Sequence, residues 1–347
     1  MMRPLLVGTL CLLCALAAGL SWWYYDFLHT PAPGMGQETI VVPRGVGVRQ
    51  IGSILANKGL IKNDVRFLIL ARTSGLATRL KAGEFAIDRG LTPPEVLELL
   101  ARGKVVQYRI TIPEGLTMTR IAQLYANKGW ADQERFLALC QDREFIASLG
   151  LAQSSLEGYL FPDTYSLTRE DRNNEKKIIT NMVGRFLQVW QKIAPKREQS
   201  KGKGPEATPG PASLSRHQIV TLASIIEKET AKSDERSIIA GVFYNRLRRG
   251  IRLQSDPTTI YGLKSFNGNL TRKDLRSKTP YNTYVIKGLP PGPICNPGRA
   301  ALEAALHPAQ TKALFFVARN NGSHQFSTTL KEHNRAVRRY QLQGKKK

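Results

Sequence analysis

Residues 4–25 read PLLVGTLCLLCALAAGLSWWYY, a run without a single charged side chain. Roughly 20 such residues are what a helix needs to cross the hydrocarbon of a bilayer, where every backbone polar group must be satisfied within the segment. Whatever follows must then fold as a body on one side of that segment. Trp22, Trp23, Tyr24 and Tyr25 close the run as an aromatic belt, Arg3 precedes it, and no Lys or Arg follows until Arg44. The positive-inside bias therefore predicts a single-pass membrane anchor, with residues 1–3 cytoplasmic and the remainder exported. A cleaved signal peptide is the alternative, because the ALA at residues 15–17 resembles a cleavage site, but the apolar run continues past it into the aromatics.

With 347 residues and 42% hydrophobic content, the chain can build two or more cores. Lys and Arg number 51 against 27 Asp and Glu, a formal charge of +24, which favours a polyanionic partner: nucleic acid, anionic lipid or an acidic wall polymer. An exported topology and the lack of a recognised binding motif argue against nucleic acid. Cys11 and Cys14 lie inside the apolar run; Cys140 and Cys295 are too few for a disulfide framework and lack the His/Cys spacing of a zinc site. They either pair or stay as buried thiols, and neither metal nor cofactor is expected.

After a Pro/Gly linker at 26–37, an internal repeat appears. VVPRGVGVRQIGSILANKGLIKN at 41–63 recurs as TIPEGLTMTRIAQLYANKGWADQ at 111–133, with Pro43/Pro113, Gly45/Gly115, Ile51/Ile121 and the two NKG triplets in register. Each copy predicts a β-branched strand, a Pro-x-Gly turn, an amphipathic helix and a glycine that ends it. The first copy runs on through LKAGEFAI, a strand, and TPPEVLELLARGK, a helix with prolines in its first turn. The pattern resembles a small LysM-like glycan-binding module over 38–110, although units that only pack and space the chain would read the same way. The second copy leads through 111–194 to a Pro, Gly, Ser and Lys-rich stretch at 195–215, expected to be a flexible insertion, and 341–347 form a basic tail.

In LASIIEKET, residues 222–230, a helical wheel places Ile219, Leu222, Ala223, Ile226 and Thr230 on one stripe, Lys228 opposite, and Glu227 and Glu229 on the two borders. A partly desolvated border carboxylate keeps its proton near neutrality, as a general acid must. Periodicity does not choose between the two, and both also fit the exposed flank of an ordinary amphipathic helix.

Here the text resembles the endolytic murein transglycosylases, the YceG-like family, through LASIIEKET, ERSIIAGVFYNRL, LQSDPTTIYG, YNTYVIKGLPPGPICNPG and HQFSTTLKEHN, with LEGYLFPDTY upstream. The resemblance implies a membrane-anchored α+β enzyme, with its catalytic domain at 216–340, that cuts nascent peptidoglycan glycan strands between N-acetylmuramic acid and N-acetylglucosamine. It would leave 1,6-anhydro ends, limit strand length and shape the cell wall alongside penicillin-binding synthases. It also implies Glu227 as the catalytic glutamate, with Glu229 as its motif partner. One carboxylic acid suffices for that chemistry, because the substrate's own 6-hydroxyl attacks the anomeric carbon, whereas most glycosidases need a carboxylate pair. Gln254, Ser255, Asp256, Tyr261, Tyr281, Asn282, Tyr284, Asn296, His324 and Glu157 are the expected substrate-binding set. Asp256, before Pro257, reads equally as a helix cap, and the Pro/Gly run at 288–298 as a rigid cleft wall. Two other readings remain: a non-catalytic glycan-binding scaffold, and a hydrolase pairing Glu227 with Asp256 or Glu229.

Overall fold

The computed structural model describes residues 2–62, 65–194 and 213–342. Most of the expected insertion at 195–215, most of the basic tail at 341–347, and residue 1 lie outside that range. The fold is mixed α+β, with helices and three two-stranded sheets among the described residues, and the chain divides into two compact units.

The first unit takes in residues 1–109 and 166–170. It contains α1 (Met2–His29), β1 (Gln37–Val42), α2 (Val48–Asn57), α3 (Val65–Thr73), β2 (Gly83–Asp88) and α4 (Pro93–Arg102). β1 and β2 pair antiparallel with Ile40 opposite Phe85. Their inward side chains meet Ile51, Leu55, Phe67, Val96, Leu97 and Leu100 in one apolar cluster. Pro93 and Pro94 open α4 behind a capping box in which Thr92 and Glu95 satisfy each other's backbone donors. α1 is long and apolar enough to span a membrane over Val7–His29. It continues four residues past the expected end of the span at residue 25, and Phe27, in its last turn, is part of the core cluster. Arg66 donates to the Trp23 carbonyl at 3.0 Å and lies over the Trp23 and Phe27 rings, at 4.6 and 4.9 Å.

The second unit takes in 110–165 and 171–347. β3 (Tyr108–Thr111) pairs with β4 (Thr164–Leu167), and β5 (Phe315–Ala318) pairs antiparallel with β6 (His324–Ser327). The helices are α5 (Met118–Asn127), α6 (Gln133–Leu139), α7 (Arg143–Ser148), α8 (Glu175–Ile193), α9 (Arg216–Glu229), α10 (Ser233–Arg248), α11 (Asp256–Gly262), α12 (Arg299–Leu306) and α13 (Leu330–Val337). α9 is the central helix. A capping box of Ser215 and Gln218 starts it, and every residue from Ile219 to Ile226 is buried, against α10, α11 and α12 among others. The single apolar stripe read from the sequence is thus corrected: Val220, Thr221, Ser224 and Ile225 are buried as well, Thr221 and Ser224 by returning their hydroxyls to α9 carbonyls. Cys140 and Cys295 are both buried free thiols, so the pairing alternative is not taken.

Candidate active site

Burial on all sides ends at Ile226, and the last three residues of α9 diverge. Lys228 is exposed as expected. Glu227 turns towards α12 and α10: its Oε2 accepts the Gly298 N–H at 2.9 Å, at the N-terminus of α12, and its Oε1 meets Arg236 at 3.3 Å. A carboxylate at a helix N-terminus is favoured by the orphan N–H groups and the dipole. Burial raises the Glu227 pKa, opposed by the Gly298 N–H and Arg236, with Glu114 adding to the rise. The side chain is only 6% exposed, and both of its oxygens have protein partners.

Glu229 points elsewhere. It lines a cavity of about 530 Å³ together with Arg246, Gln254, Asp256, Tyr284, Phe315 and His324, among others. Ser255 donates its hydroxyl to Glu229 Oε1. Burial pushes the Glu229 pKa up to about 7 and the neighbouring Asp256 charge raises it further, while the Ser255 hydrogen bond and Arg246 oppose the shift. A carboxylic acid facing open space, with a pKa near neutrality and a second negative charge beside it, is what general acid chemistry requires.

Gln254 adopts a left-handed backbone with φ of 52°, the kind of local strain that clusters at functional sites. Its Oε1 accepts from Arg246 at 3.0 Å, and Arg246 also donates to the Leu253 carbonyl at 2.6 Å, so the loop into α11 is fixed from α10. Ser255, not Asp256, is the N-cap residue of α11. Asp256 instead accepts the Tyr284 hydroxyl at 2.7 Å. His324 is held twice by Glu235, backbone N–H to Oε1 at 2.9 Å and ring Nδ1 to Oε2 at 2.6 Å.

The remaining expected residues lie apart from that cavity. Glu157, with its pKa raised by burial to about 7, accepts from the Met118 N–H at 2.9 and 3.1 Å, from Asn296 Nδ2 at 2.9 Å and from the Tyr261 hydroxyl at 3.2 Å. Asn296, with no exposed surface, also accepts from Leu160 N–H and donates to the Leu116 carbonyl. Tyr281 packs on Tyr261 with ring centroids 4.8 Å apart. Asn282 is fully buried and bridges Thr259 to the 274–277 turn. None of these five lines the cavity that holds Glu229. The Pro/Gly run packs along α9: the Pro291 carbonyl accepts from His217 Nε2 at 3.1 Å, which leaves Nδ1 to accept the Tyr159 hydroxyl. Ile294 N–H donates to Ser224 Oγ at 3.0 Å.

Arg246, Glu235, Phe315 and Arg236 were not singled out from the sequence. Glu235 reads there as an ordinary acid in the first turn of a helix, and the arginines as exposed charge. Arg246 is 7% exposed and the Arg236 side chain 11%. Among the described residues no cluster of His, Cys, Asp and Glu could hold a metal ion.

A family model described as the YceG-like family matches residues 40–339. Over 318 residues the chain is 34% identical to a Bacillus subtilis (strain 168) protein named endolytic murein transglycosylase, covering 87% of this chain and 84% of the relative. A Streptococcus pneumoniae (serotype 2, strain D39) protein of the same name is 30% identical over 372 residues, covering 96% of this chain and 65% of the relative. Among solved structures, a crystal structure of a yceG-like protein from Listeria monocytogenes is 33% identical with a TM-score of 0.56, covering 86% of this chain and 98% of that one.

Proposed function

The chain belongs to the YceG-like family, and on that premise we propose that it is an endolytic murein transglycosylase, a lyase that cuts peptidoglycan glycan strands internally. The observation that carries the mechanism is the cavity faced by Glu229 and not by Glu227. Geometry therefore favours Glu229 as the acid, the reverse of the assignment that the motif resemblance implied. Glu229 protonates the glycosidic oxygen between N-acetylmuramic acid and N-acetylglucosamine as the C1–O bond breaks. The substrate's 6-hydroxyl oxygen forms the new bond to C1, and its proton passes to the Glu229 carboxylate, which restores the acid. Ser255 holds the carboxyl group in place; Asp256, fixed by Tyr284, supplies the negative charge that helps keep Glu229 protonated. Asp256 thus has a role that does not require it to activate water. Glu227 instead anchors α12 and Arg236 beside the site.

In this reading the first unit holds glycan in a LysM-like manner. Its support is a groove of about 350 Å³ lined by Val48, Arg49, Gly52, Ser53 and Val65 among others. α1 is the single-pass anchor in the plasma (inner) membrane, N-terminus cytoplasmic, with the rest exported, and penicillin-binding synthases, as suppliers of nascent strands, are the implied partners.

The test compares Glu229→Gln with Glu227→Gln on isolated glycan strands, reading 1,6-anhydro ends by mass spectrometry. Removing a general acid–base group costs about 10²–10⁴-fold in rate, so Glu229→Gln is expected to lose nearly all product while keeping its fold. Because the protonated form does the work, kcat/KM is expected to fall as pH rises through about 7. Retained activity in Glu229→Gln, with loss in a folded Glu227→Gln, would return the role to Glu227. Fragments carrying an added water at the new end would instead support hydrolysis.

A further inference from the structure

Residues 263–287, which follow α11, carry Lys264, Arg272, Lys273, Arg276, Lys278 and Lys287, all exposed, and a single carboxylate, Asp274. That carboxylate accepts from the Thr271 N–H and hydroxyl, at 2.9 and 2.6 Å, and so closes a local turn. Among the described residues none of the six cations has an ion-pair partner within bonding distance. A solvated basic face is the ordinary explanation of such a run, and two features of this one go beyond it.

The segment is fixed, and it is fixed to the catalytic cavity. Asn282 Nδ2 donates to the carbonyls of Leu275 and Ser277, at 3.2 and 2.7 Å, while Asn282 Oδ1 accepts from the Thr259 hydroxyl and the Tyr284 N–H, both at 3.0 Å. Thr259 lies on α11, whose first residue is Asp256, and the Tyr284 hydroxyl donates to that same Asp256. Where the segment returns, Thr279 passes so close to Gly262 that a Cβ there would stand 2.5 Å from its Oγ1. α11 has seven residues and is therefore about 10 Å long, which sets how far the basic segment starts from Asp256. The same stretch also exposes Phe266, an apolar face available to a sugar or an acyl-peptide.

We propose that residues 264–287 form a subsite for the carboxylates of the peptide stems borne by the glycan strand that occupies the Glu229 cavity. The proposal rests on the reading of that cavity as a strand-cleaving site, and it names the substrate class: strands that carry their peptide stems. Stems branch from alternate sugars and end in carboxylates, so a bound strand presents anions beside the scissile bond at the spacing of one disaccharide. Arginine and lysine are the side chains that recognise carboxylates, and a cleft edged with one sign of charge speeds capture of the opposite sign.

The test uses the full chain in detergent, as wild type and as Arg272→Glu/Lys273→Glu/Arg276→Glu, positions exposed and outside the catalytic machinery. Both act on stem-bearing strands and on the same strands stripped by an amidase, and the initial rate of anhydro-end formation is read. On stem-bearing strands the triple variant is expected to be slower by about tenfold or more, the range of electrostatic capture, with the stripped-strand rate unchanged. The wild-type preference for stems is expected to shrink as salt is raised. Equal loss on both substrates, or loss on neither, overturns the proposal. So does weaker binding to anionic phospholipid vesicles with unchanged stem selectivity, which would assign the cations to a lipid surface. If the wild type makes no anhydro ends, the reading of the cavity has failed and the subsite is read alone, by co-sedimentation with stemmed and stripped strands. A preference for stems that the triple variant abolishes supports it, and equal sedimentation overturns it.

Discussion

The two copies of the repeat have almost the same backbone and opposite surroundings. α2 and α5 both run ten residues, each preceded by a glycine at φ of 76° or 75° and followed by one at 68° or 70°. In the first copy the turn stays in solvent: a Cβ on Gly45 would meet nothing within 4 Å, and Arg44, 77% exposed, pairs with Glu170. In the second, the Gly115 N–H donates to the Asn296 carbonyl at 2.9 Å, the Leu116 carbonyl accepts the Asn296 N–H at 2.8 Å, and the Met118 N–H is held by Glu157. A Cβ on Gly115 would also lie 3.6 Å from Glu227 Cγ. In the first copy the turn's backbone groups stay free of such contacts, while in the other its backbone donors and acceptors are taken up by buried groups from distant parts of the second unit. Duplication in sequence therefore does not mark where a domain ends.

The largest effect that breaks this comparison is expected from Asn296→Ala. It strands the Leu160 N–H and removes one of several bonds to the Leu116 carbonyl and to Glu157, and at about 1–3 kcal/mol for the unsatisfied buried donor plus about 1 kcal/mol for the lost bonds it should cost about 2–4 kcal/mol. Hydrogen exchange should show faster opening of α5 with α2 unchanged. Next is Glu157→Gln, which removes a titration. The Glu157 pKa is raised from 4.5 to about 7, so the folded state holds a proton that the unfolded state releases. Its contribution to stability is full below about 4.5, is lost as pH rises to about 7, and is flat above. Urea midpoints at pH 5 and pH 8 should therefore differ less in the variant than in the wild type. Thr117 caps α5 by accepting the Arg120 N–H, whereas the equivalent Gly47 has no side-chain cap. Thr117→Ala should cost about 1 kcal/mol and Gly47→Thr should gain a few tenths, seen as opposite shifts of the denaturation midpoint. The smallest effect is Arg44→Ala, under about 0.5 kcal/mol, because its ion pair is solvated.

Local chemistry made the repeat readable. Pro-x-Gly turns, apolar spacing at three and four residues and NKG ends each follow from the backbone demands of a few residues, so α2, α5, β2 and α4 lay open in the text. α9 was readable as a helix but not in its burial, since Thr221 and Ser224 read as polar until their hydroxyls return to the helix backbone. The different surroundings of Glu227 and Glu229 were not readable either. They depend on Gly298, far along the chain, arriving with its N–H beside one glutamate, and on Ser255 arriving beside the other. Asn282 and Asn296 look like turn or cleft residues in sequence, yet each is a buried hub, Asn282 for the backbone of its own turn and for Thr259, Asn296 for backbone groups far along the chain. Glu157 and Tyr261 stand in quoted motifs, but nothing short-range in the chain could pair them with each other.

The last turn of α1 has a mechanical consequence. Phe27 sits in the core of the first unit and Arg66 clasps the Trp23 carbonyl, so the helix joins the folded body as a shaft and not as a tether. A shaft transmits torque and admits no swivel. Any membrane that accepts α1 thereby sets the height and tilt of the first unit, which turns about the membrane normal only together with its helix.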